Sequence, residues 1–118
     1  MADRVVIVDG DSLTAKLMCF ALEDAGFEVA VAMCGEDAFD LVLTRETSLL
    51  ILDINLPDTD GFALLSELRA RRYVGPSIFV TARGGIADKL RGFALGAENY
   101  IVKPFEPLEL VALVACII

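Results

Sequence analysis

The chain contains no histidine. It therefore cannot store a phosphoryl group on an imidazole, and it has no imidazole acid–base catalyst for neutral pH. Cations are few: ten Lys and Arg against eighteen Asp and Glu leave a net charge of −8. That balance argues against direct nucleic-acid contact by this domain, because phosphate recognition needs a basic face. The three cysteines, Cys19, Cys34 and Cys116, have no metal-ligand spacing. Their odd number speaks against a disulfide framework, and free thiols in a reducing, cytoplasmic setting are the simpler reading. The N-terminus passes from Met1-Ala2-Asp3-Arg4 straight into an apolar run, with no secretory leader pattern. The longest apolar stretch, Leu110 to Ile118, is far too short to span a membrane. No linker, repeat or low-complexity segment interrupts the 118 residues, which read as one domain over 1–118.

What is present is a series of short apolar runs that each end on a polar residue. Val5-Val6-Ile7-Val8 meets Asp9, and Leu49-Leu50-Ile51-Leu52 meets Asp53. Ile78-Phe79-Val80 meets Thr81, and Tyr100-Ile101-Val102 meets Lys103 and then Pro104. Strands of a parallel sheet covered on both faces read as continuous apolar runs. The 56% hydrophobic content and mean hydropathy of +0.63 fit that arrangement. Strand and helix patterns alternate five times, which predicts an α/β fold with a doubly wound, five-stranded parallel sheet. Right-handed crossovers favour the strand order 2-1-3-4-5. Strands 1 and 3 then meet at the point where the winding reverses, and ligands of open α/β sheets bind at the carboxyl ends of strands there. Two carboxylates, a hydroxyl and an ammonium collected at that point suggest a cation and a phosphoryl group handled together.

The helices are expected as follows. The first follows Asp11-Ser12, presents Leu13, Leu17, Phe20 and Ala21 on one face, and stops at Gly26. Strand 2 covers about 28–32 and is a weak, edge-type strand. The second helix follows Gly35 and ends near Glu46. The third follows Gly61 and ends in the cations Arg69, Arg71 and Arg72, which suit the negative end of a helix dipole. The fourth carries Ile86, Leu90, Phe93 and Ala94 at helical spacing and ends at Gly96. The fifth starts near Pro107, a residue tolerated in a first turn.

Several segments carry a resemblance when taken together and in order. They are Val8-Asp9-Gly10-Asp11, Asp53-Ile54-Asn55-Leu56-Pro57-Asp58-Thr59-Asp60-Gly61, Val80-Thr81-Ala82, and Gly96-Ala97-Glu98-Asn99-Tyr100 leading to Lys103-Pro104-Phe105. Along essentially its whole length the sequence resembles the receiver domain of bacterial two-component response regulators. Thr81-Ala82-Arg83 and the later Asp88-Lys89-Leu90-Arg91 are similar to the subgroup that carries a winged-helix DNA-binding domain and regulates transcription. The resemblance implies a flavodoxin-like (βα)5 fold and a signalling switch. It also implies a phosphoprotein of a phosphorelay, with at most autophosphatase activity. Asp53 is implied as acceptor of a phosphoryl group from a sensor histidine kinase. Lys103 and Thr81 are implied as partners of the phosphoryl oxygens. Mg²⁺ is implied at Asp9, Asp53 and the Asn55 backbone carbonyl. Thr81 and Tyr100 are implied to shift together and remodel the face of the fourth helix, fifth strand and fifth helix, through which relatives dimerise. A cis peptide bond is implied before Pro104.

One position departs from the family. Two adjacent acids normally follow strand 1, the second usually touching the metal, and here that second position is Gly10. Mg²⁺ binding is therefore expected to be weak. Asp11 can substitute only if it turns inward instead of capping the first helix. Two functions follow: a phosphoacceptor switch, or a pseudo-receiver that works as an interaction and dimerisation module. A small flavin-binding or phosphatase-like enzyme shares the winding but needs a phosphate-cradling glycine loop that is absent after strand 1. The fifth helix is apolar all round from Val111 to Ile118, with Leu113 and Ile117 expected on its outer face. It is either covered by a second copy, giving a symmetric dimer, or the chain is a fragment of a longer regulator.

Overall fold

The apolar runs become strands because every residue in them can be buried on one side of the sheet or the other. The computed structural model describes residues 2–118. Along the chain the elements are β1 (Arg4–Val8), α1 (Ser12–Asp24), β2 (Glu28–Ala32), α2 (Gly35–Leu43) and β3 (Leu49–Leu52). They continue with α3 (Gly61–Ala70), β4 (Ser77–Thr81), α4 (Ile86–Ala94), β5 (Asn99–Val102) and α5 (Pro107–Ile117). All strand pairs are parallel, in the order β2-β1-β3-β4-β5. In β1 and β3 the pairs Val5–Leu49 through Val8–Leu52 lie side by side. Asp9 and Asp53 follow as neighbours at the carboxyl ends.

Successive strand residues point to opposite faces, so the sheet separates two cores. Val6, Val8, Leu50, Leu52 and Phe79 pack against α2 and α3 through Ala38, Phe62, Leu65 and Leu68. Val5, Ile7, Leu49, Ile51, Ile78 and Val80 pack against α1 and α5 through Met18, Leu22, Leu110 and Val114. β2 is the least covered strand, with Glu28 and Val31 exposed, Val29 and Ala30 half-buried and only Ala32 buried, as suits an edge strand.

Three helices end in the same way. The amide of the second residue past the cap reaches back to a carbonyl five residues earlier: Phe27 to Leu22, Tyr73 to Leu68, Ala97 to Gly92. This motif needs a left-handed residue just before that amide. Gly26 (φ 96°) and Gly96 (φ 89°) supply it after α1 and α4, but after α3 the residue is Arg72 (φ 74°).

Two helices turn an apolar stripe outward, and two expectations, the end of α2 and the outer face of α5, are corrected. The core face of α1 is Ala15, Met18 and Leu22; Leu13 (76% exposed), Leu17 and Phe20 (79%) face outward. The helix is apolar on two sides, so spacing alone does not choose between them; the contacts of Met18 and Leu22 with the sheet do. On α4 the stripe of Ile86 (71% exposed), Leu90 (62%), Phe93 and Ala94 also lies outside. The only buried residue of that helix is Gly92. Helix α2 ends at Leu43, three residues before Glu46. Finally, Leu113 and Ile117 are half-buried against the α1–α5 core, and the outer side of α5 carries Leu108, Glu109, Ala112, Ala115 and Cys116 instead.

Candidate functional site

The carboxyl ends of β1, β3, β4 and β5 bring four polar side chains to one place. Asp9 is 1% exposed, and Asp53 and Thr81 are also buried. The Lys103 ammonium reaches back from the end of β5 and donates to Asp9 Oδ2 at 2.8 Å and to Asp53 Oδ2 at 2.9 Å. The Lys103–Pro104 peptide is cis, as expected from the resemblance. The Lys103 amide donates to the Thr81 carbonyl at 2.8 Å, which fixes where the side chain starts. The second oxygens of the two carboxylates are held by local turns. Asp9 Oδ1 accepts from the Asp11 amide at 2.9 Å, and Asp53 Oδ1 from the Asn55 amide at 3.3 Å.

Burial pushes the Asp9 carboxyl above its ordinary range; the Lys103 bond opposes that shift without cancelling it. Burial pulls the Lys103 ammonium down, but the hydrogen bonds and charges of Asp9 and Asp53 together outweigh it and leave its pKa raised. Lys103 is therefore a fixed positive charge at neutral pH. The site consists of two acceptor carboxylates, one of them (Asp53) central on the sheet, with one ammonium between them.

The Thr81 hydroxyl accepts from the Arg83 amide at 3.3 Å. Tyr100, also buried, donates its hydroxyl to the Arg83 carbonyl. The Arg83 guanidinium is held bidentately by Asp88, with both bonds at 3.0 Å. Asp11 is occupied elsewhere. Its carboxylate accepts from the Leu13 amide at 3.2 Å and the Thr14 hydroxyl at 2.6 Å, so it caps α1 and does not turn inward.

The profile described as "Response regulator receiver domain" matches residues 5–115. The chain belongs to the response regulator receiver domain family. It is 39% identical over 112 residues to the regulatory protein VanRc of Enterococcus gallinarum, covering 95% of this chain and 48% of that protein. This receiver thus spans about half the length of that relative. Among solved structures, a CheY-like response regulator receiver domain protein from Methanospirillum hungatei superposes with a TM-score of 0.91. Its identity is 28%, with 98% of this chain and 92% of that one covered. A putative response regulator from Chloroflexus aurantiacus gives 0.88 at 37% identity, covering 99% and 98%.

Receiver domains are signalling modules, and in general they bind Mg²⁺ at the acidic pocket, interact with histidine kinases and often dimerise. The residues of this receiver fit Mg²⁺ sparingly. Mg²⁺ is commonly held by one or two carboxylates plus water and substrate oxygens. Asp9 and Asp53 meet that minimum, but among the described residues no three His, Cys, Asp or Glu side chains converge as a metal site. Position 10 has room for more: a Cβ there would sit 3.3 Å from Pro57 Cδ and 3.6 Å from the Met33 carbonyl. No described helix is long and apolar enough to cross a membrane.

The structure thus brings Asp9, Asp53, Thr81 and Lys103 together, places Asn55 and Tyr100 beside them, and leaves Asp11 apart. Two supporting residues escaped the sequence reading. Asp58 caps a different helix, accepting from the Gly35 amide at 2.8 Å and the Glu36 amide at 2.9 Å at the start of α2. No local pattern reveals a cap whose partners lie more than twenty residues away. Gly61, read only as a helix start, lies so close to the Asp53 backbone carbonyl that any Cβ would overlap it.

Proposed function

We propose that this receiver is a phosphoacceptor switch in which Asp53 takes a phosphoryl group from a sensor histidine kinase. A carboxylate oxygen of Asp53 bonds to phosphorus as the P–N bond of the donor phosphohistidine breaks, giving an acyl phosphate. Phosphoryl transfer depends on positioning and charge neutralisation more than on covalent help. The observation that carries the reading is the Lys103 ammonium 2.9 Å from Asp53, fixed by its second bond to Asp9. Lys103 would neutralise one phosphoryl oxygen and Thr81 would donate to another. Mg²⁺, when bound, would supply further charge neutralisation from Asp9, Asp53 and the Asn55 carbonyl. Its affinity would be low because Gly10 adds no carboxylate. Any turnover of the acyl phosphate by the domain itself would be slow autophosphatase activity.

Thr81 and Tyr100 would carry the signal, since both engage Arg83. The output face would be α4, β5 and α5, where a second copy would bind. There an open groove of about 600 Å³, lined among others by Lys89, Tyr100, Val102, Glu109 and Leu113, adjoins the exposed stripe of Ile86, Leu90 and Phe93. The likeness to a regulatory protein twice as long supports a place in a cytoplasmic transcriptional response regulator. A second reading rests on Gly10 alone: a pseudo-receiver whose dimer face works without phosphorylation.

Acetyl phosphate with Mg²⁺, followed by intact mass, separates the two readings. The expected result is one added phosphoryl group on the chain and none on Asp53→Asn. Full labelling of Asp53→Asn would refute the acceptor assignment, and no labelling of the unmodified chain would favour the pseudo-receiver.

A further inference from the structure

Gly92 stands inside the last turn of α4, and within a helix glycine is the poorest former after proline. It has no turn to make there, since the left-handed residue of that helix end is Gly96. What it provides is close approach. A Cβ at Gly92 would lie 3.1 Å from Phe79 Cδ2 and 3.1 Å from Tyr100 Cδ2. Below α4 these rings form a row. Phe62 and Phe79 have centroids 5.2 Å apart, Phe79 and Tyr100 are 6.0 Å apart, and the Arg91 guanidinium covers Phe62 at 4.4 Å.

The two rings nearest Gly92 are not equally free to yield. Phe79 is fully buried on a central strand, between Phe62 and Tyr100. Tyr100 lies on the edge strand β5 and keeps some exposure. An added methyl group would press on both rings; Phe79 cannot move, so α4 and the Tyr100 ring would have to part from their present seat by a few tenths of an ångström. That shift would loosen the bond from its hydroxyl to the Arg83 carbonyl, and the Arg83 amide is the group that bonds Thr81 Oγ1.

We propose that Gly92 is a positioning residue of the switch: by lacking a Cβ it opens the seat that holds the Tyr100 ring inward, and so links α4 to Arg83 and Thr81. The inference rests on the reading of Thr81 and Tyr100 as the signalling pair, but the seat itself can be measured without phosphorylation. The chain has two tyrosines and no tryptophan, so in a Tyr73→Phe background the emission of Tyr100 is the only one seen.

The test is acrylamide quenching of Tyr100 in that background, with and without Gly92→Ala. A rise in the quenching constant with unchanged far-UV circular dichroism is expected. Unchanged quenching would overturn the proposal. If Gly92→Ala does not fold, thermal denaturation in a Tyr100→Ala background decides. There the added methyl should lower Tm less, because one of the two crowded rings is gone. Failure to fold in both backgrounds, or an equal shift in both, would overturn the proposal as well. Acetyl phosphate labelling of Asp53 on the unmodified chain is recorded in parallel. Its absence would sink the phosphoacceptor reading while the quenching result for Gly92 still stood.

Discussion

Gly10→Asp would add the carboxylate that this pocket lacks, and its effects can be bounded. The backbone accepts it: Gly10 is not in a left-handed conformation, and only Pro57 Cδ, 3.3 Å from the new Cβ, must give by a few tenths of an ångström. A carboxylate roughly 5 Å from a dication gains about 6–7 kcal/mol of gross Coulomb energy at an effective dielectric of about 20. Most of this is offset by the water it displaces and by ordering of the side chain. The net gain for a metal-site partner is usually about ten- to a hundredfold in affinity, or about 1.4–2.7 kcal/mol. Without metal the sign reverses. A third carboxylate beside Asp9 and Asp53 has only Lys103 to share, and a loss of about 1 kcal/mol would lower Tm by roughly 4 °C in a domain of this size. With Mg²⁺ at a hundred times its Kd, linkage returns about 2.7 kcal/mol. The variant should therefore melt below the parent in chelator and above it in millimolar Mg²⁺, and titration calorimetry should give the tighter Kd for the variant. Equal Kd values in the two proteins would refute the reasoning and mean that another group already fills the role. Asp11→Ala would identify it by weakening Mg²⁺ binding in the parent.

Lys103→Met should destabilise the fold by about 2–3 kcal/mol at pH 7, the scale of two charge-assisted bonds discounted for solvent screening of a partly exposed lysine. Asp9 already has a raised pKa and would lose the partner that lowers it, so the ionised form would cost more in the folded state. The deficit should then shrink as pH falls from 7 to 5 and Asp9 takes up a proton; urea unfolding showing a constant deficit would contradict this. Arg72→Gly should raise stability by about 0.5–1 kcal/mol, because the left-handed φ of 74° strains every residue except glycine and few others. A lower urea midpoint would mean that the arginine side chain makes a stabilising contact. Leu90→Glu should convert a dimer to monomers in sedimentation, by placing charge in the exposed α4 stripe. A parent that is monomeric at high micromolar concentration would remove the dimer from the proposal.

The fold was legible because β1, β3 and β4 are unbroken apolar runs closed by polar residues, which allows little but a buried parallel sheet. The same punctuation located Asp9, Asp53, Thr81 and Lys103. Helix rotation was not legible. In α1 both Leu13-Leu17-Phe20 and Ala15-Met18-Leu22 satisfy helical spacing, and only the sheet beneath chooses between them. In α4 the largest apolar side chains lie outside because the inner side is reserved for the rings that meet Gly92. For α5, continuous apolarity did not say which residues face the core, and Leu113 and Ile117 proved to lean on it. Contacts between residues distant in sequence, such as Asp58 with α2, left no periodic trace.

That last contact sets how the mouth of the site can breathe. Asp58 follows Asp53 on the same loop, and its carboxylate occupies the two free amides at the start of α2. A short way along, Asp60 caps α3 through the Ala63 amide. The loop is anchored at both ends to helix starts, so it cannot lift away from the pocket without uncapping at least one of them. Opening is therefore a cooperative event of the loop plus a helix turn, not the free swing of a surface segment. The helix α2, which contributes no side chain to the pocket, would therefore share in the rate at which Asp53 is uncovered.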